Sequence, residues 1–358
     1  MACAPTWSSI RAPRSQSLFH FGQPMHAKSL PLPWIAAALF ALLALLAFAE
    51  LSIGTMHFSL QTLLHAFFDY QPTVFSDRII IDIRLLHIVV AAVVGACLAM
   101  AGHLLQTIIG NPLGEPHIFG LNAGASLAVV ACSALGNALL LSPFLRPLIA
   151  AIGGGVLFSA VLLAAYLSRQ GFAVVTTTLC GITLSAFAAS LTSLLLLFNE
   201  QTLQSTLLWL NGDIAGLSWP AVFAILPPFL LAIVVAFLVS PALNTLTLGE
   251  QVAEGLGVRV LRSRIIGLCA IALFCGIAVS LAGPIGFIGL IVPNIVRQLI
   301  TVQPRSALWV NALMGAVLLL AADLCAQHLL ESQSLATGTV TALLGAPVFV
   351  TLAVRYFR

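Results

Sequence analysis

Residues 85–107 read LLHIVVAAVVGACLAMAGHLLQT, a run that contains no Asp, Glu, Lys or Arg. At 1.5 Å per residue in an α-helix, this run is long enough to cross the roughly 30 Å hydrocarbon core of a bilayer. Similar runs recur along the chain, in which 60% of the residues are hydrophobic and 7% are charged. About a quarter of the residues in a soluble domain are charged. The composition therefore excludes a water-soluble fold.

Apolar stretches of about 20 residues predict about ten membrane spans. They are Trp34–Ile53, Leu85–Thr107, His117–Gly136, Phe144–Leu167, Val174–Phe198, Trp219–Ser240, Arg264–Ala282, Ile285–Ile300, Ala307–Leu329 and Ala336–Val354. Pro227, Pro228 and Pro293 interrupt two of them, and Gly153–Gly155 indicates a substrate pathway or, as we favour, close helix packing. The predicted fold class is an all-α, polytopic transmembrane helical bundle with short or broken helices.

The positive charges indicate the orientation of these spans. With the N-terminus inside, every Lys and Arg of the 14 in the chain lies on the cytoplasmic side except Arg78, Arg84 and Arg146. Because cytoplasmic loops carry an excess of Lys and Arg, both termini are predicted to be cytoplasmic. The net charge of +3 then reflects topology, and no nucleic-acid partner is predicted.

The N-terminal region, residues 1–33, is predicted to be a polar cytoplasmic tail ahead of a membrane domain at residues 34–358. Arg11 and Arg14 precede an apolar run that ends in Ala47-Phe48-Ala49, which is also the pattern of a cleavable signal sequence. The polar stretch before the run is too long for an ordinary signal peptide, so we favour a retained span. Met25 offers an alternative start, and residues 1–24 are predicted to be dispensable.

Catalytic motifs are absent from the sequence. The only lysine, Lys28, follows no glycine-rich loop, so the phosphate-binding GxxxxGK[ST] loop of an ATPase is missing. No HExxH or GxSxG motif occurs. The seven cysteines have no CxxC spacing and are interpreted as packing residues. The sequence therefore predicts a protein that is not an enzyme and that has no cofactor or metal site of its own.

Few polar residues lie within the predicted spans. His103 and Gln106 share one helix face and are predicted to form interhelical hydrogen bonds. Asn294 and Arg297 lie toward the inner end of the eighth span. Asp323 lies close to the outer end of the ninth, as does His328. For Asp323, a structural hydrogen bond and a transport role are both open.

Three connecting segments carry most of the remaining information. Residues 110–125 are an inner loop rich in Gly and Pro that runs into a span rich in small residues. Residues 282–297 have a Gly/Pro density that predicts a broken or short span. In the third segment, Leu248–Val258, the apolar residues recur every fourth position while Glu250 and Glu254 lie on another face. This spacing predicts a short amphipathic helix, which lies on the membrane surface or offers a handle to a cytoplasmic partner.

At these segments the sequence resembles the iron-siderophore, haem and cobalamin permease family of bacterial ABC importers. The resemblance covers nearly all of residues 34–358. The residues that carry it are Asn111, Pro112, Gly249, Glu250, Gln251, Ala253, Glu254, Leu256, Gly257, Gly283, Pro284, Gly286, Pro293, Arg297, Asp323, Gly345 and Pro347. They occur in the family's order and approximate spacing.

The resemblance implies one half of a homodimer or heterodimer of ten-span subunits in the bacterial inner membrane. A periplasmic or surface substrate-binding protein would dock outside. Separate ATP-binding subunits, which hold ATP and magnesium, would dock inside on the coupling residues from Gly249 to Gly257. Residues Val174, Val175, Thr176 and Thr177 would lie at the inner gate. The implied cargo is a ferric siderophore or ferric citrate, with haem or cobalamin as the alternative and an ion-coupled secondary transporter as a further one.

The sequence departs from the family pattern at several positions. Arg84 and His87 occupy the place of two outer arginines that dock the binding protein, so only one arginine remains there. Arg84 alternatively anchors its helix end at the membrane interface. Asn294, Gln327 and Ser334 replace residues usual in the family.

Overall fold

The computed structural model describes residues 31–52, 56, 58–134, 145–168, 174–198, 209–212, 214, 217–299, 304–328 and 335–356. Its first helices are α1 Leu32–Ser52, α2 Leu60–Phe68, α3 Phe75–Arg78, α4 Leu86–Ile109, α5 Leu121–Ala134, α6 Arg146–Leu167 and α7 Val174–Leu197. They continue with α8 Trp219–Thr245, α9 Glu250–Gly255, α10 Val260–Ala282, α11 Ile288–Leu299, α12 Pro304–His328 and α13 Thr337–Tyr356. A π-helical segment, Ile79–Leu85, joins α3 to α4, and a 3-10 turn, Leu246–Leu248, precedes α9.

The all-α transmembrane prediction is confirmed within these residues. Eight helices are long and apolar enough to cross a membrane. The third and eighth predicted spans correspond to α5 and α11, which have only 14 and 12 residues. These lengths count described residues only, and each helix begins directly after a Gly/Pro-rich segment, because such residues interrupt helices readily.

Some predicted boundaries were wrong. The second span begins ten residues before Leu85, because the helical path runs without a break from Phe75 to Ile109. The amphipathic helix predicted over Leu248–Val258 is shorter, Glu250–Gly255. Helix α2 was not predicted. The predicted interruptions at Pro227, Pro228 and Pro293 were also wrong, since α8 and α11 continue through these prolines.

Helix α4 lies at the centre of the bundle and packs against α10, α11 and α12. Its glycines allow the close approach: a Cβ atom on Gly95 would overlap the backbone of Gly315 in α12. On Gly102 it would overlap the backbone of Gly289 in α11. Small residues let helix backbones approach each other in a membrane, where van der Waals contact drives association.

The glycines of α6 also pack closely, as the sequence predicted. Gly153 lies against Gly124 and Ala128 of α5, where an added Cβ atom would overlap both. Gly154 faces the backbone of Leu121, whereas a Cβ atom added to Gly155 would meet only Ala272, in ordinary van der Waals contact. The packing interpretation is confirmed for the first two glycines.

The bundle has two ends, which we call the α2 end and the α9 end. Helix α4 begins at the α2 end, where α1 and α12 finish and α13 begins. It finishes at the α9 end, next to Gly249 and Glu250. Residues 1–30, most of the predicted cytoplasmic tail of residues 1–33, lie outside the described residues, as does Ser334.

Candidate functional site

The break between α10 and α11 is held by side chains from the α4–α5 loop. Gly283 and Phe287 both have φ of 70°, which turns the chain sharply between the two helices. The Phe287 N–H donates to Glu115 Oε1 at 3.1 Å, and Asn122 Nδ2 donates to the Ile285 carbonyl at 2.9 Å. Because lipid offers no hydrogen-bond partner, these contacts satisfy backbone groups that the break frees from a helix.

Glu115 links its own loop to that break. Its second carboxylate oxygen accepts a hydrogen bond from the Ile118 N–H at 3.2 Å. Burial raises the pKa of the Glu115 carboxyl above its ordinary value, and the backbone N–H donors act in the opposite direction. One carboxylate thus fixes the shape of the loop and joins it to residue 287.

Gln106 connects three parts of the chain at the α9 end. Its Nε2 donates to the carbonyls of Gly114 and Gly289, each at 3.2 Å. Its Oε1 accepts from Arg297 at 2.8 Å. Asn294 Nδ2 donates in the same region to the Pro112 carbonyl at 2.8 Å. The predicted interhelical bonding is confirmed for Gln106.

The predicted coupling segment, Gly249 to Gly257 with Leu248 directly before it, projects from the α9 end. Leu248 and Leu256 are each 63% exposed, whereas Ala253 is fully buried. Arg264 Nη2 donates to Glu250 Oε1 at 2.5 Å, which fastens the first turn of α9 to α10. The apolar stripe therefore faces away from this chain.

A cavity of about 380 Å³ lies beside this segment. It opens where the end of α4 and the following loop face the end of α8. Its polar lining residues are His103, Gln106, Thr107, Asn111, Asn244, Thr247, Glu250, Arg264 and Arg297. The coupling segment and the Gln106 network thus border one space.

A different polar cluster lies at the α2 end, where α1, α4 and α12 meet. Gln327 Nε2 donates to Glu50 Oε1 at 2.8 Å and to Asp323 Oδ2 at 2.9 Å. Thr337 Oγ1 donates to Asp323 Oδ1 at 2.6 Å. His87 Nδ1 lies 3.7 Å from Asp323 Oδ2. Asp323 therefore has the structural hydrogen bonds that the sequence left as one of two options.

Arg84 points into the protein at the same end. It is 8% exposed. Its Nη1 donates to the Leu51 carbonyl and its Nη2 to the Met56 carbonyl, each at 2.6 Å. The guanidinium also lies over the ring of Phe58, 4.7 Å from the centroid. The guanidinium is thus used inside the protein, where it joins the segment before α4 to the end of α1 and the chain that follows it, and a docking role stays a prediction.

The predicted inner gate falls at the start of α7, which begins at Val174. Thr177 is buried. The side chains of Val174 and Val175 lie outside the described residues. Gating by this segment stays a prediction.

Comparison with known proteins identifies the family. The model of the FecCD transport family matches residues 42–355. The chain belongs to the FecCD transport family. This FecCD chain is 38% identical over 299 residues to the probable siderophore transport system permease protein YfiZ of Bacillus subtilis, which covers 81% of this chain and 86% of the relative. It is 37% identical over 286 residues to the Fe(3+) dicitrate transport system permease protein FecC of Escherichia coli, covering 80% and 86%.

Solved structures agree with the family. A structure described as "an inward-facing conformation of a putative metal-chelate type ABC transporter" matches with a TM-score of 0.74 and 30% identity, over 90% of this chain and 99% of that one. PsaBC from Streptococcus pneumoniae in complex with Fab matches with a TM-score of 0.52 and 18% identity, over 75% and 90%, and shares the fold alone. This FecCD chain is thus a multi-pass permease.

The family motifs of this FecCD chain lie where the structure needs unusual backbone or close packing. Gly345 leaves room for the side chain of Phe287, which a Cβ atom would overlap. Asn111 Oδ1 accepts from the Leu113 N–H at 3.0 Å and shapes the start of the loop. Gly249 and Gly257 have φ of 104° and 84° on either side of α9. Functional roles for these residues stay predictions.

Two residues of these sites were missed from the sequence. Glu50 was not singled out, although it is an acid next to Ala49 inside a predicted span. Its position inside a predicted span could have revealed it, because an ionisable group within a span is a candidate functional residue. Thr337 offered no such signal, because its role depends on its distance from Asp323.

Proposed function

We propose that this chain is the transmembrane permease subunit of an ATP-binding cassette importer that moves an iron chelate, a ferric siderophore or ferric citrate, from periplasm to cytoplasm. The observation that carries the proposal is FecCD membership over residues 42–355. It is supported by the identity to permeases named for siderophore and for ferric dicitrate transport. A chain without an ATP-binding loop requires a separate ATPase.

The α9 end faces the cytoplasm in this proposal. Arg259, Arg262 and Arg264 follow α9 directly, while Arg78 and Arg84 lie at the α2 end. The excess of arginine at the α9 end fits the preference of cytoplasmic loops for positive charge. The binding protein would then dock at the α2 end, and a second permease subunit would complete the pathway.

The coupling segment is the contact with the ATPase. Its apolar stripe, Leu248, Val252 and Leu256, is exposed next to the charged Glu254. An exposed apolar stripe with a charged border suits a protein interface, because burial of the apolar side chains drives association.

Copurification of the ATPase from cells that express the whole transporter tests this contact. Leu256→Asp places a charge in the stripe, and we expect ATPase recovery to fall at least tenfold while the permease remains in the membrane. Phe68→Asp is the matched control, because Phe68 is an 87% exposed apolar residue on the short helix at the opposite end. Full ATPase recovery with Leu256→Asp would reject the contact.

Uptake assays test the transport activity and its cargo. Cells that lack their own importer, supplied with the complete transporter, should accumulate labelled ferric siderophore or ferric citrate only when the ATPase is active. Uptake of haem or cobalamin in its place would identify the alternative cargo. Uptake that persists without the ATPase and stops with a proton ionophore would replace the proposal with an ion-coupled transporter.

A further inference from the structure

The cluster at the α2 end brings three metal-ligating side chains together. One ligand atom from each of Glu50, His87 and Asp323 lies within 4.8 Å of the others. His87 Nδ1 and Asp323 Oδ2 are 3.7 Å apart. A divalent cation with bonds of about 2.1 Å holds neighbouring donor atoms roughly 3 to 3.5 Å apart. Small side-chain movements would therefore place all three donors around one ion.

The charge of the cluster favours a cation. Glu50 and Asp323 are each 2% exposed. Among the described residues, no arginine or lysine forms an ion pair with either carboxylate. Arg84 interacts electrostatically with Glu50 but forms no ion pair with the carboxylate. Its guanidinium donates instead to the backbone carbonyls of Glu50, Leu51 and Met56. Buried carboxylates are costly unless a positive charge or a metal compensates them.

Glu50 also has an unused ligand atom. Its Oε1 accepts from Gln327, whereas its Oε2 is buried and has no hydrogen-bond partner within the described part of the chain. Leaving a buried acceptor unpaired costs about 1 to 3 kcal/mol. An ion bound by this carboxylate would remove that cost, so the orphan oxygen is independent support for a ligand.

Gln327 supplies a fourth donor. Its Nε2 lies 2.8 Å from Glu50 Oε1 and 2.9 Å from Asp323 Oδ2. Those distances are close to the roughly 3 Å that separates adjacent oxygens around an octahedral cation with bonds of about 2.1 Å. Rotating the amide by 180° exchanges its nitrogen and oxygen and aims the oxygen at the same point. Thr337 holds Asp323 through its other oxygen at 2.6 Å, the kind of support that fixes a metal ligand.

We propose that Glu50, His87, Asp323 and Gln327 form a site for one first-row divalent cation, which joins α1 to α4 and α12. One imidazole nitrogen with carboxylate and amide oxygens suits ions such as Mn²⁺ and Zn²⁺. Within its described residues α1 buries only Leu39 and Glu50. The ion therefore fixes a peripheral helix that has few other buried contacts.

A nearby cluster of similar composition provides the control. His65 contacts Asp69 through Nε2 at 3.5 Å and Asp77 through Nδ1 at 3.3 Å. The two carboxylates face opposite nitrogens of one ring, so they do not converge on a single ion. Asp69→Asn removes an acid from a His–Asp pair at the same end without touching the proposed site.

Binding of Mn²⁺ to the purified, chelator-treated full chain tests the proposal. The protein is prepared without a histidine tag, because a tag would itself bind Mn²⁺. Electron paramagnetic resonance measures the free Mn²⁺ during the titration. We expect one Mn²⁺ per chain, displaced by Zn²⁺. Affinity should fall at least tenfold in Glu50→Gln and in Asp323→Asn and stay within twofold in Asp69→Asn.

Gln327→Glu distinguishes a metal site from a hydrogen-bonded cluster. A third carboxylate should tighten Mn²⁺ binding at least fivefold, and Mn²⁺ should raise the melting temperature of this variant more than that of the original chain. Weaker or unchanged binding in Gln327→Glu would overturn the proposal, as would stoichiometric binding that survives both Glu50→Gln and Asp323→Asn. Because the expected change is a gain, misfolding of the variant cannot imitate it.

Discussion

Polar side chains have different roles at the two ends of α4. At the α9 end, the amides of Gln106 and Asn294 satisfy backbone carbonyls that the broken helix and the loop leave free. At the α2 end, Glu50 and Asp323 place two acids among three helices, and one buried oxygen has no partner among the described residues. Neutral amides suit free backbone groups, because they supply donors and an acceptor without the cost of a buried charge. A pair of buried acids instead suits the binding of a cation.

The largest effect is expected from a substitution that breaks the close approach between α4 and α11. Gly102→Val inserts a side chain where the backbone of Gly289 already lies, which separates α4 from α11 and also removes the Gln106 bond to Gly289. We expect a loss of at least about 3 kcal/mol and little recovered protein, because neither backbone can yield locally. Thermal unfolding in detergent measures the loss.

Gly155→Ala is the matched control for that change. The nearest atom to an added methyl group there is Ala272 Cβ at 3.8 Å. Alanine has a higher helix propensity than glycine and fits here without a steric clash. The stability should therefore stay equal or rise by up to about 1 kcal/mol. Equal behaviour of the two variants would show that the α4–α11 contact tolerates separation.

An intermediate effect is expected at Gln106. Gln106→Leu leaves the carbonyls of Gly114 and Gly289 and the guanidinium of Arg297 without their partner. The loss should be about 2 to 4 kcal/mol, because two buried backbone carbonyls lose their hydrogen-bond donor and the Arg297 guanidinium loses its acceptor. Gln298→Leu is the control: Gln298 is exposed on α11, and its change should stay within about 0.5 kcal/mol. A similar melting temperature for both variants would contradict the role assigned to Gln106.

The smallest of these effects is expected at the α2 end. Arg84→Met removes two charge-assisted hydrogen bonds to the carbonyls of Leu51 and Met56, at a cost of about 1.5 to 3 kcal/mol. Arg78 is exposed, so Arg78→Met should change stability by less than about 0.5 kcal/mol. Affinity for the binding protein, measured in nanodiscs, should be unchanged in Arg84→Met. A tenfold weaker affinity at unchanged stability would restore a docking role for Arg84.

Sequence patterns predicted the order of helices well and their ends less well. Apolar runs such as residues 85–107 depend on lipid contact along one stretch, so local composition reveals them. The start of that helix at Phe75 was missed, because Asp77, Arg78 and Asp82 interrupt the apolar pattern. The continuity through Pro227 and Pro228 was also missed. Surrounding helices decide whether a proline ends a span in a membrane.

The two polar sites differ in how far the sequence revealed them. Gln106 was identified as an interhelical donor from its place on an apolar helix, although its partners Gly114 and Arg297 were not. Glu50 and Asp323 are separated by most of the chain, and no local pattern relates them. Only the packing of α1 and α12 against α4 makes them neighbours.

By itself, the sequence determined that the chain is an all-α membrane protein with about ten spans and no ATP-binding loop. Its ordered motifs determined the family, which the comparison with known proteins confirmed. Both follow from local composition and spacing, which every helix carries within its own residues. The tertiary structure alone decided that Arg84 faces inward and that Glu50, His87 and Asp323 meet. Contacts of this kind depend on helix packing, which distributes each site over residues far apart in the chain.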